Sequence, residues 1–398
     1  MEDAHAAEKT FSDHCRADRT LGASDAVVAA TPSGRRRDGL VRPQSTITFM
    51  TVPACDLILL TWNRPDLLVP CVQRLLRHTT VPSRLLIVDN ASTDPQALEF
   101  LRQVRGTDAV EVVVVRRTSN DGFAKGMNEG LGRTAAPWLC LLNNDILVTE
   151  GWLEEMLAVA RAHPSIGALN PMSNEFNLAP TRAGETIDEL ARTLQSRRGR
   201  WIENWFCVGF CLLLSRETFE QAGFLDETFR FIYSEDKDYS FRIRRLGRLC
   251  AIAEGAYVYH HGSSTMKDHP DRWKLLEENE TRFYRKWSME RPSRIAYLLT
   301  GRSEASDEAR ERIRRLANTG HRVWVFYPAP RGGAEELRVP RHFQVVPQQV
   351  ERIGFWPRAT GRILFKKKKF QRIVLPPSQA RRLFQWLTPI HRAKVVVG

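Results

Sequence analysis

The sequence predicts an α/β protein with a mostly parallel sheet, covered by helices on both faces and followed by a small αβ unit. Three observations support this prediction. Short apolar runs alternate with segments of helical spacing from residue 55 onward, which is typical of a parallel sheet. Polar clusters follow the ends of several of these runs. A second alternation begins near residue 301, so a second sheet is expected there.

Four strands and three helices are predicted in the first part of the chain. Each strand is a short apolar run that ends in polar residues, and each helix is placed by its length, spacing or start signals. The second helix begins at Pro95 after Asp94, a residue type that caps helices. The predicted strands are 56–61, 84–90, 110–116 and 138–142, and the predicted helices are 66–79, 95–105 and 123–134.

The ends of these strands define the expected ligand site. With right-handed crossovers, the carboxyl ends of parallel strands share one edge of the sheet, and ligands bind beyond that edge. Three polar clusters fall there, at residues 61–63, 89–90 and 143–145. We therefore expect a binding site built from these clusters.

The later elements follow a more mixed pattern. Helices are predicted at 151–160, 216–222, 234–246 and 271–287, with a long apolar stretch at 201–215 and a short strand at 256–259. In the second unit, the pattern predicts helices at 307–319, 362–370 and 378–387 and strands at 322–327, 372–375 and 394–397. The segment 170–205 has no clear pattern, and we expect it to supply specificity loops.

Composition divides the chain into three predicted parts. Residues 1–53 lack sustained periodicity, so we expect a disordered extension there. We expect residues 54–290 to form the first domain and residues 301–398 to form a small Rossmann-like accessory domain. The chain has 59 Lys and Arg and 46 Asp and Glu, of which residues 291–398 hold 23 and 7. This last quarter therefore carries a charge of +16 and the remainder −3, which indicates two different roles.

The sequence argues against a membrane-spanning, a secreted or a disulfide-stabilised protein. No apolar run reaches the roughly 18–20 residues of a membrane span. The N-terminus lacks the apolar core of a secretory signal. Seven cysteines occur without a C-x-x-C pair, which favours reduced thiols over a disulfide frame or a zinc site. We therefore expect a cytoplasmic protein.

Asp145 is the first candidate site residue, because it ends a predicted strand in the segment LLNND. A carboxylate there suits Mg²⁺ or Mn²⁺, which prefer oxygen ligands and often bridge protein and phosphate. The alternative is an ordinary turn or helix-cap aspartate, since a helix is predicted from residue 151.

Two further clusters are candidates for catalysis. Glu235, Asp236 and Asp238 lie at the start of a predicted helix, where acids either complement the helix dipole or serve as a general base. His260 and His261 end a strand, and since neighbouring strand residues face opposite sides, only one of them suits a metal site. A structural histidine is the alternative.

Taken in order, these pieces resemble the family-2 glycosyltransferases of the GT-A fold, and within them the rhamnosyltransferase-like enzymes of bacterial polysaccharide assembly. The resemblance spans about residues 55–290. It rests on the segments LILLTWNRPDLL (57–68), LLIVDNASTD (85–94), NDGFAKGMNEGL (120–131), LLNNDILV (141–148), GFLDETFRFIYSEDKDYSFRIRRLG (223–247) and YVYHHGSST (257–265).

The resemblance implies a nucleotide-sugar donor, a glycan or lipid-linked acceptor, and inversion at the anomeric carbon by direct displacement. Asp236 matches the catalytic base, with Glu235 as its rival, and Asp145 with His260 matches the site of a divalent metal, Mg²⁺ or Mn²⁺. The donor-binding residues implied are Thr61, Asn63, Asp89, Asn90, Gly122, Asn128, Asn143, Asn144 and Asp145.

One feature departs from the family pattern. The D-x-D triplet reads Asn143, Asn144, Asp145, so two acids are replaced by amides that bind cations less strongly. This departure keeps a second hypothesis open, a catalytically silent sugar-nucleotide-binding or scaffold protein. A nucleotidyltransferase is a third, although residues 61–65 do not form the phosphate loop which that class needs after its first strand.

The basic unit at 301–398 is expected to be an accessory module. Residues 307–327 weakly resemble the start of the N-terminal half of GT-B glycosyltransferases. The mixed apolar and basic residues of 362–372 and 381–387 suit an anionic membrane surface at the inner face of the membrane, where lipid-linked acceptors lie. Nucleic-acid binding, with Trp324, Phe326 and Trp386 as stacking groups, is disfavoured because no nucleic-acid motif is present. A plain soluble surface is the third possibility.

Overall fold

The computed structural model describes most of the chain after residue 52. The described residues are 53–175, 179–231, 233–262, 270–299, 306–329, 339–375, 384–385, 387, 390 and 392–397. The predicted disordered extension and most of the predicted helix at 378–387 lie outside the described residues. No described helix is long and apolar enough to cross a membrane.

The first sheet contains nine strands. They are β1 Cys55–Thr61, β2 Ser83–Asp89, β3 Val110–Arg116, β4 Trp138–Asn143, β5 Ile146–Val148, β6 Ile166–Met172, β7 Trp201–Asn204, β8 Cys211–Ser215 and β9 Leu249–His260. Their order is β3-β2-β1-β4-β8-β6-β9-β5, with β7 paired to β9. Strands β3, β2, β1 and β4 are parallel, as are β6 and β9, while β8, β5 and β7 pair antiparallel.

Helices cover both faces of this sheet, and each face has its own apolar core. The helices are α1 Pro65–His78, α2 Pro95–Gln103, α3 Phe123–Leu131, α4 Trp152–Ala162, α5 Ile187–Leu194, α6 Arg216–Ala222, α7 Glu235–Arg245 and α8 Arg272–Lys286. The mostly parallel α/β fold expected from the sequence is confirmed.

The second sheet is entirely parallel, in the order β12-β11-β10-β13-β14. Its elements are β10 Arg294–Leu298, α9 Asp307–Asn318, β11 Arg322–Pro328, β12 Val345–Val350, α10 Phe355–Leu364, β13 Arg372–Leu375 and β14 Lys394–Val397. Strand β10, which falls between the two expected domains, is the central strand of this sheet.

Three predicted elements differ from the structure. Strand β9 spans twelve residues rather than the four predicted, because its first half is held in the sheet by pairing with β6 and β7. The apolar stretch 201–215 is two strands, β7 and β8, separated by a connection. Helix α10 ends at Leu364 and begins at Phe355, where Pro357 in the first turn removes no helical hydrogen bond. The predicted helix at 362–370 was therefore placed too late.

Glu203 on β7 joins the two sheets. Its buried carboxylate accepts hydrogen bonds from Arg314 Nε at 2.7 Å and Asn318 Nδ2 at 3.1 Å, both on α9. Arg244 of α7 lies 3.5 Å from the same carboxylate. The Glu203 carbonyl also accepts from the Phe343 backbone N–H at 2.8 Å. The second sheet is thus held against the first by a buried, charged contact.

Candidate active site

The strand ends predicted to form the site lie side by side. Thr61 is paired with Asp89 across β1 and β2, and Asn143 ends β4 next to β1. The Asn144 side chain donates to Thr61 Oγ1 at 3.0 Å. On the neighbouring strands, Ile146 of β5 pairs with His260 of β9. One edge of the sheet therefore gathers residues from four separate segments of the chain.

Asn63 and Asp89 shape the loops at this edge. Asn63 has a positive φ of 52°, and its side-chain oxygen accepts from the backbone N–H groups of Thr93 at 2.8 Å and Asp94 at 2.9 Å. Asp89 is fully buried and accepts from the Ser92 N–H at 2.9 Å. These contacts order the loops after β1 and β2.

Asn90 and Gly122 tie the start of α3 to the same edge. Asn90 donates to the Asn120 side chain at 2.7 Å and to the Gly122 carbonyl at 3.3 Å. Gly122 has a φ of 93°, and a Cβ there would lie 2.6 Å from the Phe231 Cα. Only glycine permits this approach, which brings α3 against the loop that leads into α7.

Asn128 lies away from the strand ends, in contact with the turn at 223–227. Its amide donates to the Leu225 carbonyl at 3.0 Å and to Glu227 Oε1 at 2.9 Å, and its oxygen accepts from the Leu225 N–H at 2.9 Å. Both ends of the amide are thus engaged by protein. Contact of Asn128 with ribose or diphosphate remains a prediction.

Asp145 and His260 meet in a buried polar cluster. His260 Nε2 lies 3.1 Å from Asp145 Oδ1, and the side chain of Asn143 is 3.5 Å from the same nitrogen. The other ring nitrogen, Nδ1, is hydrogen-bonded to Glu175. Burial alone lowers the pKa of His260, but the two carboxylates outweigh it and raise the pKa to about 10. Without a metal the imidazole is therefore cationic, and a metal bound at Nε2 would replace the proton of that nitrogen.

Glu175 and Asn174 were missed by the sequence analysis. The Asn174 side chain forms two hydrogen bonds with the backbone of His260. Its amide nitrogen donates to the His260 carbonyl and its oxygen accepts from the His260 N–H, both at 2.8 Å. The two residues follow β6, in a segment expected only to supply specificity loops. Reading 166–172 as a strand would have placed this polar pair at the carboxyl end of a strand, beside His260.

Asp236 lies in the first turn of α7 and is held by backbone donors. Its carboxylate accepts from the Gly209 N–H at 3.2 Å and from its neighbour Lys237 N–H at 2.7 Å. Burial raises its pKa above the ordinary aspartate value, against the opposing effect of Lys237. A carboxylate with a raised pKa is a stronger base once it is deprotonated.

Glu235, the rival base, is also buried. Burial, together with the charge of Asp236, raises its pKa to about 8. Among the described residues, its Oε2 has no hydrogen-bond partner. The loop before it is strained, with positive φ angles at Phe231 (59°), Tyr233 (78°) and Ser234 (71°). Strain of this kind concentrates at functional sites.

Gly209 and Phe210 connect the two candidate groups. Gly209 donates to Asp236, and the ring of the next residue, Phe210, stacks on the His260 ring with centroids 4.9 Å apart and planes at 14°. The Phe210 carbonyl accepts from the Asn143 N–H at 2.9 Å. Asp236 and the His260 cluster therefore contact neighbouring residues of one short backbone segment.

The cluster fits a divalent metal, which the resemblance implies. Glu175 engages Nδ1 of His260 and leaves Nε2 directed at the Asp145 carboxylate, the arrangement in which an outer carboxylate orients a metal-binding imidazole. In the described part of the chain, no group of three His, Cys, Asp or Glu side chains is arranged to hold a metal ion by itself. A metal here would need oxygen ligands from the substrate, as Mg²⁺ and Mn²⁺ commonly take from phosphates.

Comparison with known families identifies the class of this domain. Residues 56–223 match the family model described as Glycosyl transferase family 2. The matched segment is less than half of the chain, and its similarity to family-2 glycosyltransferases agrees with the motifs found in the sequence.

Curated relatives refine this class. O-antigen biosynthesis protein RfbC of Myxococcus xanthus is 28% identical over 54% of this chain and 18% of its own length. N-acetylglucosaminyl-diphospho-decaprenol L-rhamnosyltransferase of Mycobacterium tuberculosis is 26% identical over 50% of this chain and 75% of its own length. The domain is thus similar to rhamnosyltransferases of polysaccharide assembly, although the chain matches less than a fifth of the length of RfbC.

One solved structure aligns with part of this chain. The mannosyltransferase PcManGT from Pyrobaculum calidifontis, in complex with GDP-Man and Mn²⁺, aligns with a TM-score of 0.44 and 16% identity. The alignment covers 60% of this chain and 65% of that protein.

Proposed function

We propose that this protein transfers a sugar from a nucleotide-sugar donor to a hydroxyl group of a glycan or lipid-linked acceptor, with inversion at the anomeric carbon. The observation that carries this proposal is the segment Gly209–Phe210, which contacts Asp236 on one side and His260 on the other. A base on one side of this segment and a cluster that could hold a divalent metal on the other suit a displacement in which the base activates the nucleophile and a bound metal would offset the charge of the leaving group.

Asp236 is the proposed base. Its carboxylate takes the proton of the acceptor hydroxyl while that oxygen forms a bond to the anomeric carbon. The bond between the anomeric carbon and the diphosphate oxygen breaks on the opposite face, and the electron pair leaves with the nucleoside diphosphate. The backbone donors Gly209 and Lys237 keep the carboxylate oriented during the transfer.

Asp145 and His260 are the proposed residues for a divalent metal. Such an ion, when bound, offsets the charge that develops on the departing diphosphate. Glu175 and Asn174 hold His260 in position, and Asn144, bonded to Thr61, places an amide beside Asp145. Asn143 and Asn144 stand where the family pattern has acids, so Asp145 supplies the carboxylate of this triplet.

The acceptor class proposed here is suggested by a relative, and the location is an expectation from the sequence. The mycobacterial relative is named for a diphospho-decaprenol acceptor, a lipid-linked diphosphate. We infer that this protein acts on an acceptor of that class, at the cytoplasmic face of a membrane. The donor sugar is then one of the hexoses or deoxyhexoses carried by nucleoside diphosphates.

The decisive experiment incubates the full chain with a panel of nucleotide sugars, Mn²⁺ and a lipid-linked sugar diphosphate acceptor. The expected result is release of nucleoside diphosphate with formation of a glycosylated lipid whose new linkage has the inverted anomeric configuration by NMR. Formation of nucleoside triphosphate and sugar phosphate when pyrophosphate is added would instead indicate a nucleotidyltransferase. Donor binding without any release, across the whole panel and with Mg²⁺ as well, would favour the silent binding protein.

A further inference from the structure

The surface around α10 exposes two apolar side chains to an unusual degree. Ile353 and Phe365 are 87% and 89% exposed, more than any other large apolar side chain among the described residues. Ile353 lies just before α10 and Phe365 just after it. The core does not need them, because α10 packs on the second sheet through Phe355, Ala359 and Ile363.

The same surface is strongly basic. Residues 352–372 contain eight Lys and Arg and no Asp or Glu. Two of these residues are paired with acids, Arg358 with Glu351 at 3.0 Å and Arg372 with Glu290. Among the described residues, no carboxylate forms an ion pair with Lys366–Lys369. We call Ile353, Phe365, Arg352, Arg362 and Lys366–Lys369 the α10 surface.

The structure places the lysines differently from the sequence prediction. Because α10 ends at Leu364, Lys366–Lys369 lie in the turn after the helix rather than along a helical stripe. The Lys366 ammonium lies 5.3 Å from the centre of the Trp324 ring. The Lys369 ammonium donates a hydrogen bond to the Leu364 carbonyl. Lys369 is thereby held at the C-terminal end of α10, which Phe365 directly follows.

We propose that the α10 surface binds the surface of an anionic lipid bilayer. Exposed apolar side chains that enter the interface, with basic side chains that contact anionic headgroups, are the two components of peripheral membrane binding. A nucleic-acid partner fits less well, because the aromatic residues Trp324 and Phe326 are buried, at 8% and 1% exposure. Stacking on bases would need such rings to be open. The proposal goes beyond the transfer reaction, since binding needs neither donor nor acceptor.

The test is co-sedimentation of the full chain with vesicles of phosphatidylcholine containing phosphatidylglycerol, compared with phosphatidylcholine alone. We expect binding only to the anionic vesicles, weakened by high salt. Replacing all four lysines, Lys366→Gln through Lys369→Gln, should lower the partition coefficient at least about 100-fold, since each cation near the surface contributes about fivefold. Phe365→Ala should lower it about tenfold.

Matched variants control for overall charge and for exposed aromatic area. The charge control replaces four exposed arginines elsewhere, Arg102, Arg105, Arg133 and Arg282, by Gln. The aromatic control is Phe224→Ala, at a residue that is 50% exposed on the first domain. Both controls should bind like the unaltered protein. Thermal melting of every variant verifies that the chain remains folded.

Three outcomes would overturn the proposal. The first is equal binding to neutral and anionic vesicles. The second is a loss of vesicle binding in the charge control that matches the loss in the lysine variant. The third is absence of vesicle binding together with tight binding to single-stranded RNA that the lysine variant abolishes. None of these measurements depends on sugar transfer, so failure here leaves the proposed reaction to its own test.

Discussion

Replacing Asp236 by asparagine is the sharpest test of the proposed mechanism. The amide keeps the shape of the side chain but cannot take a proton from the acceptor. A general base typically contributes 10²–10⁴-fold to a rate, which corresponds to about 3–5 kcal/mol of the activation barrier. We therefore expect Asp236→Asn to lose nearly all turnover and to retain donor binding.

The local structure sets the expected effect on stability. Two backbone donors, Gly209 and Lys237, point at the carboxylate, and asparagine offers only one acceptor atom. One N–H then loses its partner, which costs about 1–3 kcal/mol. The substitution also removes a buried charge beside Glu235, which offsets part of that cost. The variant should fold, with a modestly lowered melting temperature.

The assay measures initial rates of nucleoside diphosphate release and, separately, the Kd of the donor by calorimetry. Glu235→Gln is the matched control, because Glu235 is a buried neighbour on the same helix turn. If Asp236 is the base, the control keeps activity within about tenfold and Asp236→Asn does not. Full activity in Asp236→Asn, or the reverse pattern between the two variants, would refute the assignment.

The pH dependence of the reaction provides an independent check. Burial raises the pKa of Asp236, and burial together with Asp236 raises the pKa of Glu235 to about 8. A base must be deprotonated, so kcat/KM should fall as pH decreases through these raised values. The acid limb belongs to the coupled pair, and it should lie well above pH 4, where an ordinary carboxylate would place it.

Other variants test the supporting structure. Gly122→Ala should destabilise the protein by more than about 1 kcal/mol and lower kcat, because the new Cβ would collide with the Phe231 backbone. Chemical denaturation measures the loss of stability, and steady-state kinetics measure the change in kcat. Glu203→Ala should cost about 1–3 kcal/mol and make the link between the two sheets sensitive to limited proteolysis, since Arg314 and Asn318 lose their hydrogen-bond acceptor. Glu175→Gln should weaken Mn²⁺ affinity 10–100-fold, measured by titration in the presence of nucleoside diphosphate; unchanged Mn²⁺ affinity would remove Glu175 from the site.

Local patterns were sufficient to predict most elements of the first sheet. The run at 110–116 is a strand with the predicted bounds, and those at 56–61 and 84–90 are shifted by one residue. These strands are short, apolar and flanked by polar residues, so the signal that specifies them is contained in their own sequence. The resemblance to family-2 glycosyltransferases could also be found from the sequence, because each motif that carries it is a continuous segment of the chain.

Elements whose stability depends on distant partners were misread. The first half of β9 is rich in small residues, and its strand form comes from the strands on either side. Strand β10 was overlooked because five residues carry little periodicity, although pairing on both sides makes it central to the second sheet.

The sequence by itself determined the fold class, the motifs that resemble family-2 glycosyltransferases and the positions of the acids and histidines proposed for the chemistry. Tertiary structure alone decided which side chains touch them. Glu175 reaches His260 across 85 positions, and Gly209 reaches Asp236 across 27, so no local pattern records either contact. The physical reason is that strand and helix propensities act over a few residues, whereas a site is assembled by packing that brings remote segments together.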